Sequence, residues 1–139
     1  MRPITRKAAM IGSTLALALS GIALGSAPAS AATTCYAASC TGLDPASTVC
    51  QNDATTLLTA DTGVELRYSR TCRAVWARMK GTSAGHKYVV RNTNNEERTV
   101  TAGSSGGTVY TAMVNDADIY AYAADYRPDG TMASSTLWS

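Results

Sequence analysis

Gly63-Val64-Glu65-Leu66-Arg67-Tyr68-Ser69 decides the fold. Val64, Leu66 and Tyr68 alternate with Glu65 and Arg67, a period of two that an extended strand sorts into one apolar and one charged face. A helix would scatter the same residues around its axis. The period persists downstream. In Cys72–Lys80, Ala74, Trp76 and Arg78 stand opposite Val75, Ala77 and Met79, and His86–Asn92 carries a third strand through Tyr88, Val89 and Val90. Asn92-Thr93-Asn94-Asn95 reads as a turn, with Glu96–Ala102 as the hairpin partner.

Further out, Gly103-Ser104-Ser105-Gly106-Gly107 leads into an expected strand over Thr108–Val114, and a last one spans Ile119–Ala124. Asp125–Ser139, with Pro128, Asp129 and Gly130, is expected to fray, although Leu137 and Trp138 offer side chains that can dock. Upstream, Pro45–Ala60 is the one stretch that reads as a helix. Pro45 suits a first-turn position, and Val49, Leu57 and Leu58 can share an apolar side. The expected fold is therefore mainly β: a small antiparallel sandwich or barrel with one N-terminal helix. No internal repeat is present.

The chain has 139 residues, 45% hydrophobic and 16% charged, enough for one core and too apolar for wholesale disorder. Residues 1–31 have the three parts of a secretory signal peptide: basic Arg2, Arg6 and Lys7, an uncharged Ala/Leu-rich run from Ala8 to Leu24, and Ala29-Ser30-Ala31 as a cleavage pattern. No cysteine directly follows the apolar run, and no consecutive arginines precede it. Export by the general secretory route is expected, with a single domain over residues 32–139. Without the three leader cations, nine basic residues face ten acidic ones. A nearly neutral domain has no general electrostatic attraction to nucleic acid.

All four cysteines, Cys35, Cys40, Cys50 and Cys72, lie in the first half of that domain. An even count in an exported small domain reads as two disulfides. Three pairings are possible. Cys35–Cys40, closing a tight loop, and Cys50–Cys72, pinning the expected helix to a later strand, are favoured. Metal is disfavoured, because no C-x-x-C pair occurs and His86 is the only histidine.

The runs Cys35-Tyr36-x-x-Ser39-Cys40-x-Gly42-x-Asp44-Pro45, Cys50-x-x-Asp53-Ala54, Glu65-Leu66-Arg67-Tyr68-Ser69, Cys72-Arg73-Ala74-x-Trp76-Ala77 and Tyr110-Thr111-Ala112-Met113-Val114 resemble the YjfA-like family of exported Gram-positive proteins, domain of unknown function 2690. The resemblance covers roughly Cys35 to Tyr122. It implies an extracytoplasmic, disulfide-bearing domain, joined in some members to a helix-turn-helix regulator of which this sequence has no counterpart. It brings no established activity and so no catalytic residues.

The residues themselves are read as non-enzymatic. A serine hydrolase needs a base, and His86 sits beside Lys87 in an Ala-Gly turn that reads as solvated. No G-x-S-x-G elbow occurs. Paired carboxylates suit glycoside hydrolysis, with Asn115-Asp116-Ala117-Asp118 the nearest cluster and Glu96-Glu97 a weaker one; Asn115–Asp118 lacks the Gly and distal Glu of a calcium loop and reads instead as a turn capped by its Asn and Asp side chains. No cofactor is expected. A binding surface is drawn instead from Arg67, Arg70, Arg73, Arg78 and Trp76, with Lys80 nearby, and from Tyr120 and Tyr122 on one face of the last strand. The cations suit an anionic polymer such as teichoic acid, although period two splits Arg73 from Arg78 and Lys80. The tyrosines suit sugars or another secreted protein. An alternative places Arg70, two residues before Cys72, in the pocket of a trypsin-like protease as the tip of a disulfide-braced inhibitor loop.

Overall fold

The computed structural model describes residues 31–139, so the leader read over residues 1–31 lies, but for its last residue, outside the described residues. Among the described residues, nine strands form two antiparallel sheets. The first holds β1 (Thr55–Thr59), β2 (Glu65–Ser69), β3 (Ala74–Met79), β6 (Val109–Tyr110) and β7 (Val114–Asn115). The second runs β5 (Glu97–Thr101), β4 (Lys87–Asn92), β8 (Ala121–Tyr126), β9 (Met132–Ser135). Val64, Leu66, Val75, Ala77, Met79 and Val114 from the first meet Tyr88, Val90, Ala121 and Ala123 from the second in one core. The architecture is a sandwich. None of the described helices is long and apolar enough to cross a membrane.

β3 is buried on both sides. Its other face, Ala74 and Trp76, packs under the N-terminal segment, where Cys40, Cys50, Cys72 and Met113 form a second cluster. Two disulfides hold that cover, Cys35–Cys40 and Cys50–Cys72, in the favoured pairing. Gly42 N–H donates to the Met113 carbonyl and Met113 N–H to the Leu43 carbonyl, so the cover is also stitched to the end of the sheet.

The expected helix over Pro45–Ala60 is corrected. Only two short 3-10 turns form, Pro45–Ser47 and Val49–Asp53, capped by Asp44 and Thr48 side chains. Thr55-Thr56-Leu57-Leu58-Thr59 then runs as β1. Its three β-branched threonines favour the pleat, and pairing with β2 puts Leu58 beside Leu66. A bulge between Thr56 and Leu58 lets Thr56 face outward beside Arg67 while Leu58 faces the core.

Two strand bounds also differ. The single strand expected over Thr108–Val114 is two short ones, both paired to β3. Between them Thr111, 1% exposed, donates its N–H to the Ala77 carbonyl and accepts the Ala77 N–H on its Oγ1 at 3.1 Å. A hydroxyl thus stands in for a ladder carbonyl. The last expected strand begins two residues later, at Ala121, after Asp118 turns through a left-handed φ of 58°. The tail does not fray. It returns as β9, and Ser139 exchanges both backbone hydrogen bonds with Ala121 at 3.0 Å. Trp138 docks on Tyr122, while Leu137 stays exposed.

Candidate functional site

Arg67, Trp76 and Arg78 converge on the outer face of the first sheet. β2 and β3 bring Arg67 opposite Trp76 and Glu65 opposite Arg78, and β6 adds Tyr110 beside Arg78. Together with Pro45 and Ala54 they line a cleft of about 300 Å3. Arg67 donates to Thr56 Oγ1 at 2.9 Å and to the Ala54 carbonyl at 3.2 Å, while its buried Nε has no hydrogen-bond partner among the described residues. Arg78 Nε binds Glu65 Oε2 at 2.7 Å, and Lys80 Nζ reaches Glu65 Oε1 at 3.7 Å. Burial works to raise the Glu65 carboxyl, but the Arg78 hydrogen bond and the surrounding cations outweigh it and hold the group below its usual range. Burial also lowers the Arg67 guanidinium, and the neighbouring Arg78 charge adds to that.

The other two arginines lie elsewhere. Arg70 is exposed at the tip of the β2–β3 turn, and Ser69 Oγ and Thr71 N–H both donate to Asp53 beneath it. Arg73 adopts a left-handed φ of 47° and pairs with Asp118 at 2.8 Å. Asn115-Asp116-Ala117-Asp118 behaves as a turn: Asn115 Oδ1 accepts the Ala117 N–H, and Asp118 is taken by Arg73. Asp116 is pushed up to about 7 by burial, against the pull of Arg73, and its Oδ1 has no partner among the described residues.

A second surface lies on the outer face of the other sheet. The parity of β8 sends Ala121 and Ala123 to the core, leaving Tyr122 and Tyr126 outside. Trp138 meets Tyr122 edge-on, with ring centroids 4.6 Å apart, and is 52% exposed. Arg91 and Glu97 flank Tyr122 as an ion pair at 3.7 Å. Lys87, Tyr126 and Arg127 edge an adjoining cleft of about 320 Å3. Burial raises the Tyr122 hydroxyl, and the nearby Tyr126 adds to the rise. Tyr120, 63% exposed, precedes the strand on the same parity.

His86 is not the solvated turn residue expected. Its Nδ1 lies 2.7 Å from Oδ1 of Asp125, which is 2% exposed, and its ring stacks over Tyr88. Strand alternation places His86 inward, and the glycine before it obscured that. Sequence reading also missed Tyr110, Tyr126 and Trp138 as site residues. Extending the alternation of β8 by two positions finds Tyr126, but only the docked tail brings Trp138 beside it.

Fold and surface define a small disulfide-braced β-sandwich with one cationic cleft and one aromatic face. The chain belongs to the family described as "Protein of unknown function (DUF2690)", whose model matches residues 38–124. No curated protein and no solved structure matches it. The cationic cleft falls largely within the matched residues, whereas Tyr126 and Trp138 lie beyond them.

Proposed function

We propose that this protein works outside the cytoplasm as a non-enzymatic binding module of the cell envelope or medium, holding glycan on the outer face of its second sheet. The observation that carries the reading is the exposed Trp138 set edge-on to Tyr122 on a hydrogen-bonded sheet. Rigid aromatic faces cover the apolar side of a sugar ring at low entropic cost, and the adjacent Arg91 and Glu97 supply donors and acceptors for hydroxyls. The leader-like residues 1–31, the paired cysteines and the resemblance to exported Gram-positive proteins support the location.

The test is co-sedimentation of the oxidised protein with purified Gram-positive cell walls at low and high salt. Retention is expected to survive high salt and to weaken about tenfold in Trp138→Ala, which corresponds to about 1.4 kcal/mol. Absence of retention, or retention unchanged by that substitution, would overturn the reading.

The second reading is a protease inhibitor, favoured by the exposure of Arg70 on a turn braced by Asp53 and Cys72. The segment is closed, with Cys72 N–H bound to Ser69 Oγ, whereas a protease cleft takes an extended strand. On this reading, micromolar protein slows trypsin and Arg70→Ala abolishes the effect. Full trypsin activity at that concentration would remove it.

A further inference from the structure

The cleft on the first sheet is electrically unbalanced. Arg67, Arg78 and Lys80 face one carboxylate, Glu65, and Glu65 spends both oxygens on Arg78 and Lys80. Arg67 is satisfied only by neutral oxygens, those of Thr56 and Ala54. Two half-buried guanidiniums held on neighbouring strands repel each other, and a partly desolvated site screens that repulsion poorly. The terminal N–H groups of Arg78 have no partner among the described residues, and Lys80 is 66% exposed. The opposite character comes from the walls. Pro45, Ala54, Trp76 and Tyr110 in its lining make the cleft more apolar than its cations imply.

From this juxtaposition we infer that the cleft binds a ring-bearing oxyanion, an acidic sugar unit whose carboxylate or phosphate sits between Arg67 and Arg78 while its ring lies against Tyr110 and Pro45. A planar guanidinium meets either oxyanion with paired N–H donors. The oxyanion supplies the negative charge that Glu65 alone does not. The volume stands at the small end of ligand sites and so admits one ring, with the rest of a polymer left outside. Tyr110, 38% exposed, offers the face on which that ring rests. The site is on the opposite sheet from Trp138 and does not depend on the glycan reading of that surface.

The experiment is a titration of the 15N-labelled, oxidised protein with glucuronate, glucose 6-phosphate, methyl glucoside and inorganic phosphate, read at the Arg Nε–H and Trp indole signals. Glucuronate or glucose 6-phosphate is expected to shift the Arg67, Arg78 and Trp76 signals saturably, and the tighter of the two identifies the acid group. Methyl glucoside is expected to leave them unmoved. Arg78→Gln weakens binding at least fivefold. Lys80→Gln, at an exposed position, weakens it about twofold. Trp138→Ala leaves the Arg67, Arg78 and Trp76 shifts unchanged, which separates this site from the wall-binding surface. The inference is overturned if neither acid moves these signals, if the neutral glucoside moves them equally, if inorganic phosphate binds as tightly as the ring-bearing phosphate, or if Lys80→Gln binds as tightly as the parent.

Discussion

Thr111 shows how one side chain holds a broken strand in register. Its Oγ1 accepts the Ala77 N–H in a fully buried place and donates its own O–H to the Ala112 carbonyl at 2.7 Å. Valine has the same shape and no oxygen, so Thr111→Val strands a buried N–H and is expected to cost about 1–3 kcal/mol in urea denaturation. Thr111→Ser should recover most of the loss. Equal stability of the valine variant would mean the Ala77 N–H has found another acceptor. The role of Thr111 is hidden in sequence, because a threonine between two apolar residues reads as ordinary strand alternation. His86 is hidden likewise, since its partner Asp125 belongs to another strand.

At the level of elements, the N-terminal cover is the part whose stability rests on covalent bonds. The bridges close spans of 5 and 22 residues. In the chain-entropy account, removing Cys50–Cys72 by a double alanine substitution costs about 3 kcal/mol, and removing Cys35–Cys40 about 2 kcal/mol. Thermal unfolding of the two variants checks the order; a larger loss from the shorter loop would contradict it. Sequence places β2 and β3 well by their two-residue alternation, and β4 and β5 by the apolar run Tyr88-Val89-Val90 and the Asn92–Asn95 turn that joins them. It fails at Pro45–Ala60, where Leu57 and Leu58 satisfy a helical pattern as well as a strand. The choice falls to β1 because β2 presents an open edge for it, a contact that no window around Leu57 contains. The tail fails for the same reason: Met132–Ser135 has little pattern, yet the free edge of β8 recruits it.

At the scale of the whole molecule, titration sets how stability varies with pH. Asp116 is raised to about 7 in the folded state from an ordinary value near 3.8. The folded chain therefore holds a proton that the unfolded chain has already released. The stability linked to that proton is complete below about pH 4 and is lost as pH rises to about 7. Asp116→Asn should flatten this decline and raise stability at pH 7 by about 1–2 kcal/mol, once solvent screening of a half-exposed group is allowed for. Denaturation midpoints at several pH values check it, and an unchanged slope contradicts it. Glu65 acts oppositely: its carboxyl is held low, so its contribution is present above the unfolded value and fades as pH falls through the folded one. The sequence by itself determined the β class and the alternating faces, because each depends on residue type and short spacing, and it favoured the observed bridges among three possible pairings. Only tertiary structure decided which cations share a cleft and which aromatics share a face. Arg67 and Tyr110 line one cleft from either side of β3, Arg73 is drawn away to Asp118, and Trp138 reaches Tyr122 through a returning tail. Those meetings join residues distant along the chain, and they follow from how the sheets and the disulfide cover pack, which no local pattern records.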